Sequence, residues 1–127
     1  MQDRPTATEL LDALAEFLHG EVREWVPRER RFQVLVAANL CAVLARELRA
    51  GEEPSLQDLA LFRSLLGEPE SKPPPGEAES AARDAAGKLA RRIRAGDLDD
   101  RLPELAAGLT DHVRRKLEIA RPGYAED

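Results

Sequence analysis

Residues 28–50 read RERRFQVLVAANLCAVLARELRA, and the 14 residues from Phe32 to Ala45 contain no charged side chain. On a helical wheel the apolar groups of that run fall on nearly every side, the pattern of a helix covered by other helices on all faces. It is too short to span a bilayer, which takes about 18 to 20 apolar residues, and it carries Gln33 and Asn39. The reading is therefore an apolar central helix, residues 28–50, buried in protein and not in lipid.

Working outward, the segment before it shows a capping-box spacing at Thr6 and Glu9, followed by Leu10, Leu11, Leu14, Phe17, Leu18, Val22 and Trp25 at steps of three and four. Val26 precedes Pro27, and a residue before proline is driven out of the α region, so this first helix should stop there. Gly51 suits the end of the central helix. A third, short helix should begin near Ser55 and Asp58, bury Leu56, Leu59, Phe62, Leu65 and Leu66, and close at Gly67. Residues 67–76, GEPESKPPPG, hold four of the nine prolines and no large apolar group, which predicts an exposed Pro-rich connector. A fourth helix over about 77–95 offers a small-residue face of Ala78, Ala82, Ala85, Ala86, Leu89 and Ile93. Pro103 fits the first turn of a fifth, with Leu105, Ala106, Leu109, Val113, Leu117 and Ala120 on one side.

The fold class that follows is all-α, a single-domain bundle of about five helices spanning residues 1–127. Only 11 residues are β-branched, and Ala, Leu, Glu and Arg dominate. The formal charge of −5, with acids and bases interleaved, offers no general attraction to nucleic acid or anionic lipid. The start of the chain lacks a basic-then-apolar leader, which leads to the expectation of a cytoplasmic protein. One cysteine, Cys41, excludes an intrachain disulfide and a Cys-rich zinc cage.

RPTATELL at 4–11, RRFQVLVAANLCAVLARELRAG at 30–51, IRAGDLD at 93–99 and KLEIARPGY at 116–124 together resemble a family of small helical bacterial domains of unknown function. The resemblance spans most of the chain but departs over residues 68–85. It implies an origin beside, or fused to, aminoglycoside-phosphotransferase-like kinases and acyl-CoA dehydrogenases, and a helper role in acyl or acyl-CoA metabolism. It implies no catalytic residue.

No catalytic constellation is visible in the residues themselves. His19 and His112 each lie beside an apolar stripe without a Glu-x-x-His or His-Glu-x-x-His pattern. Cys41 has no neighbouring cation to activate it. No glycine-rich phosphate loop occurs, so neither enzymatic activity nor a cofactor is expected. Three arginines, Arg28, Arg30 and Arg31, crowd the N-terminus of the central helix, where the macrodipole disfavours cations by about 0.3 to 1 kcal/mol each. Ion pairs with Glu21, Glu24 and Glu29, or an acidic partner, would offset that cost, which marks the three as candidate partner-binding residues. Asn39, an amide in the apolar run, is expected to find a hydrogen-bond partner across the core. Alternatively it lines a candidate pocket with Arg4, Lys116 and Tyr124. Two functional classes remain: a non-enzymatic accessory or protein-interaction module, favoured here, and a small-molecule domain for an acyl or phosphorylated ligand. Homo-oligomerisation stays open.

Overall fold

The computed structural model describes residues 3–126 and is all-α, with five long helices and no strand among the described residues. Helix α1 runs Ala7–Phe17 and continues through a π-helical segment, Leu18–Val22, into a last α turn, Arg23–Trp25. A 3-10 turn, Arg28–Arg30, leads into α2, Arg31–Ala50. Helix α3 is Glu53–Leu66, α4 is Ala78–Arg94 and α5 is Leu102–Ala120, the last preceded by a 3-10 turn at Asp99–Arg101.

The ends of these helices follow from local chemistry. Thr6 caps α1 as expected: its hydroxyl accepts from the Glu9 amide at 3.3 Å, and its own amide donates to the Glu9 carboxylate at 2.7 Å. Val26 is extended (φ −88°, ψ 156°), so the helix stops before Pro27. Helix α3 ends in a Schellman motif. Gly67 sits at φ 72°, its amide donates to the Ser64 carbonyl at 3.1 Å, and the Glu68 amide reaches back to Arg63 at 2.9 Å. Gly96 (φ 81°) closes α4 the same way, with Gly96 donating to Ile93 and Asp97 to Arg92. Both positions need left-handed backbone, which glycine adopts without a Cβ penalty.

The chain divides into two compact units at the Gly51–Glu52 junction, and the Pro-rich connector is not the boundary. The first comprises the residues up to Gly51 together with Ile119–Arg121; the second comprises Glu52–Glu118 and the residues from Pro122 onward.

The second unit holds the core. Leu59, Phe62, Leu65 and Leu66 of α3 pack with Ala82, Ala85 and Leu89 of α4, with Leu98, and with Leu105 of α5. The expected faces of α3 and α4 are thus the buried ones, while on α5 Val113 is half exposed. At Gly108 of α5 the approach to α3 is tight, since a Cβ there would sit 3.0 Å from Leu61 Cδ1. Two arginines satisfy the orphan carbonyls of α3: Arg92 donates to Leu66 O at 3.1 Å and Arg101 to Leu65 O at 3.0 Å. The connector is mostly exposed yet tethered, because the Arg63 guanidinium donates to both the carbonyl and the hydroxyl of Ser71.

The first unit is an antiparallel pair, α1 against α2, and here the sequence-based picture needs correction. Helix α2 is not covered all round. Its only buried residues are Ala38 and Ala45, whereas Phe32, Val36, Leu40, Leu44 and Leu48 are 42 to 75 % exposed. The apolar run is real, but the residues it buries are the small Ala38 and Ala45, while Phe32, Val36, Leu40 and Leu44 are left exposed. Asn39 is accordingly exposed and not a buried amide. The first unit is also tied by an ion pair between Arg49 and Asp12 and by Arg46, which donates to the Ile119 carbonyl.

Candidate interaction face

Phe32, Val36, Leu40, Leu44 and Leu48 recur every four residues and so form one continuous ridge on the outer side of α2. At 1.5 Å per residue the ridge is about 24 Å long. On α1 and its last turn, Leu10, Leu14, Phe17 and Trp25 are also 40 to 68 % exposed, and the Phe17 and Trp25 rings meet edge to face at 5.5 Å. Of the twelve exposed large apolar side chains among the described residues, nine therefore lie on the smaller unit, which buries only two alanines. A stable monomer seldom leaves contiguous apolar surface of this kind open to water.

The charges around the ridge are arranged lengthwise. Arg28, Arg30 and Arg31 occupy its N-terminal end. Arg31 pairs with Glu24 at 3.7 Å, and Arg30 donates to Gln33 at 3.1 Å. Glu24 is shared with Arg23 at 3.3 Å, so one of the three expected acids serves two arginines. These pairs are solvent-exposed and offset little of the cost of cations at a helix N-terminus. At the other end Arg46 and Arg49 are engaged by the Ile119 carbonyl and Asp12, and Glu47 stands exposed.

Asn39 lies to one side of the ridge, in an open groove of about 440 Å³ between α1 and α2. Ala15, Gly20, Leu35, Ala38 and Ala42 supply its apolar lining, and Glu16, His19 and Asn39 its polar groups. His19 and Gly20 belong to the π-helical segment, a widened turn of a kind that recurs at functional sites. Of the other residues grouped with Asn39 from the sequence, Arg4 pairs with Glu9 at 3.5 Å and does not line the groove. Lys116 and Tyr124 are exposed residues of the second unit. Sequence reasoning misses Glu16 and His19 as neighbours of Asn39 because only the pairing of α1 with α2 brings them together. The ridge itself is visible in the sequence as a four-residue repeat, but the charge-free run around it reads as core.

The second unit carries a separate polar cluster. Asp58 Oδ1 accepts from Arg115 Nη2 at 2.8 Å and lies 2.8 Å from His112 Nδ1, while the His112 ring stands edge-on to Phe62 with centroids 5.1 Å apart. Arg115 Nε is buried without a partner. The arrangement ties α5 to α3. Among the described residues no group of three or more His, Cys, Asp or Glu side chains is placed to hold a metal ion, and no helix is long and apolar enough to cross a membrane. Glu104 has a carboxyl that ionises more readily than usual. Its hydrogen bonds from the Arg101 guanidinium hold it below the usual range, against a smaller opposing effect of desolvation.

A family model described as Domain of unknown function (DUF6285) matches residues 24–124. The chain belongs to the DUF6285 family. The match takes in all of α2, α3, α4 and α5, so the exposed ridge and the arginines at its start lie within the DUF6285 domain, whereas most of α1 precedes it. No curated protein and no solved structure matches the chain.

Proposed function

We propose that this DUF6285 domain is a non-enzymatic protein-interaction module of the cytoplasm, accessory to a phosphotransferase-like kinase or an acyl-CoA enzyme. The observation that carries the reading is the uncovered apolar ridge of α2, a helix face built like one side of a helix–helix contact. The choice of enzyme class comes from the resemblance drawn from residues 4–11, 30–51, 93–99 and 116–124. The purified chain, titrated against a purified kinase of this type and against an acyl-CoA dehydrogenase, should form a saturable complex with one of them. Reversing Arg28, Arg30 and Arg31 to glutamate should weaken it in a salt-sensitive way while the free domain stays folded. Failure to bind either enzyme class removes the accessory role.

The groove beside Asn39 favours a second reading, a small-molecule domain for an acyl or phosphorylated ligand, because an apolar lining with three polar groups suits a mixed ligand. A rise in melting temperature with an acyl-CoA, abolished in Asn39→Ala and His19→Ala, would support it. No shift with either an acyl-CoA or a sugar phosphate would remove it.

A further inference from the structure

The ridge of α2 has an internal symmetry that selects its occupant. Phe32 and Leu48 lie equally far from Leu40, as do Val36 and Leu44, so an antiparallel copy of the same helix sets Phe32 against Leu48, Val36 against Leu44, and Leu40 against itself. Each of the five residues that this register brings together is apolar and exposed. The charges agree with the same sense of pairing. Arg30 and Arg31 would lie near the partner helix's C-terminal end, where Glu47 is exposed and where Arg49, also exposed, is paired with Asp12 and Arg46 is held by the Ile119 carbonyl. That end also carries the negative pole of the helix macrodipole, so each copy offsets the unfavourable placement of the other's arginines. Parallel pairing would instead set arginine beside arginine and like pole beside like pole.

We infer that the DUF6285 domain forms an isologous homodimer in which the Phe32–Leu48 ridges of two antiparallel α2 helices pack across a two-fold axis at Leu40. Such a pairing is closed and self-limiting. The inference rests on the interaction reading above and names the partner of this face as a second copy of the chain.

Two measurements test it in the intact chain. Sedimentation should show a concentration-dependent dimer that Leu40→Glu weakens about 100-fold or more, since each substitution removes an apolar centre and places a charge against its own copy. Reversing Arg28, Arg30 and Arg31 should weaken the dimer by about tenfold or more at low salt and by less at high salt. Register is read by disulfide trapping with Cys41 replaced by alanine. Leu40→Cys should cross-link to itself, Val36→Cys mixed with Leu44→Cys should cross-link to each other, and each of those two alone should not. Self-cross-linking of Val36→Cys would mean parallel pairing and would overturn the inference. So would a chain that stays monomeric from micromolar to millimolar concentration. If that monomer still binds an enzyme partner, and Leu40→Glu abolishes the binding, the second-copy inference falls and the interaction reading stands. If Leu40→Glu affects neither self-association nor partner binding, both fall.

Discussion

Asn39 shows how one residue's setting decides the reading of its helix. Its neighbours in sequence are apolar, which points to burial, yet it is exposed at the edge of a groove. Asn39→Leu should therefore change stability by no more than about 0.5 kcal/mol in a thermal melt, where loss of a satisfied buried amide would cost about 1 to 3 kcal/mol. Asp58 is the opposite case, a half-buried carboxylate that holds both His112 and Arg115. Asp58→Ala removes the acceptor of Arg115 Nη2 while Arg115 Nε is already without a partner, and should cost about 2 to 4 kcal/mol in urea unfolding. The Arg101–Glu104 pair gives a pH dependence of definite sign. The folded-state pKa of Glu104 is depressed, so the stabilisation is present at neutral pH and is lost as pH falls through the folded value. Because Glu104 is solvent-exposed and Arg101 only partly covered, the effect should be small, and Glu104→Gln should reduce the acid dependence of the melting temperature without altering the neutral-pH fold.

At the scale of elements, features set by neighbours in sequence are legible in the chain and those set by packing are not. The Thr6–Glu9 cap, the stop before Pro27, and the ends at Gly51 and Gly67 each depend on residues within one turn and stand where the sequence places them. The faces of α3 and α4 are also readable, because apolar positions on those helices occupy one side only. Helix α2 is not, since an all-round apolar pattern does not say which side is covered. The small side chains Ala38 and Ala45 permit the close approach to α1, and that leaves Leu40, Leu44 and Leu48 outside. The π-helical segment at Leu18–Val22 leaves no signal beyond Gly20, and the tether from Arg63 to Ser71 joins residues eight apart through a loop. Arg63→Ala should accordingly speed limited proteolysis within residues 67–76 while leaving the helical content intact. The close passage at Gly108 predicts that Gly108→Val costs about 1 to 3 kcal/mol, because Leu61 and Leu65 must give way to the added methyls.

For the molecule as a whole, the distribution of apolar side chains matters more than their number. Among the described residues, ten of the twelve buried apolar ones belong to the second unit and nine of the twelve exposed large ones to the first, so the two differ in how far each satisfies itself. A helix pair with two buried alanines gains stability from a further contact, and the ridge of α2 supplies the surface for one. If that contact is between copies, the unfolding midpoint of the wild-type chain should rise with protein concentration by mass action. The most direct test is therefore urea unfolding of Leu40→Glu beside wild type across a hundredfold range of concentration, with the mass of each checked by sedimentation. The variant should be a folded monomer whose midpoint no longer depends on concentration and matches wild type at the dilute limit. A loss of about 3 to 5 kcal/mol at every concentration, as expected for a charge forced into a protein interior, would place Leu40 in the core and contradict the account.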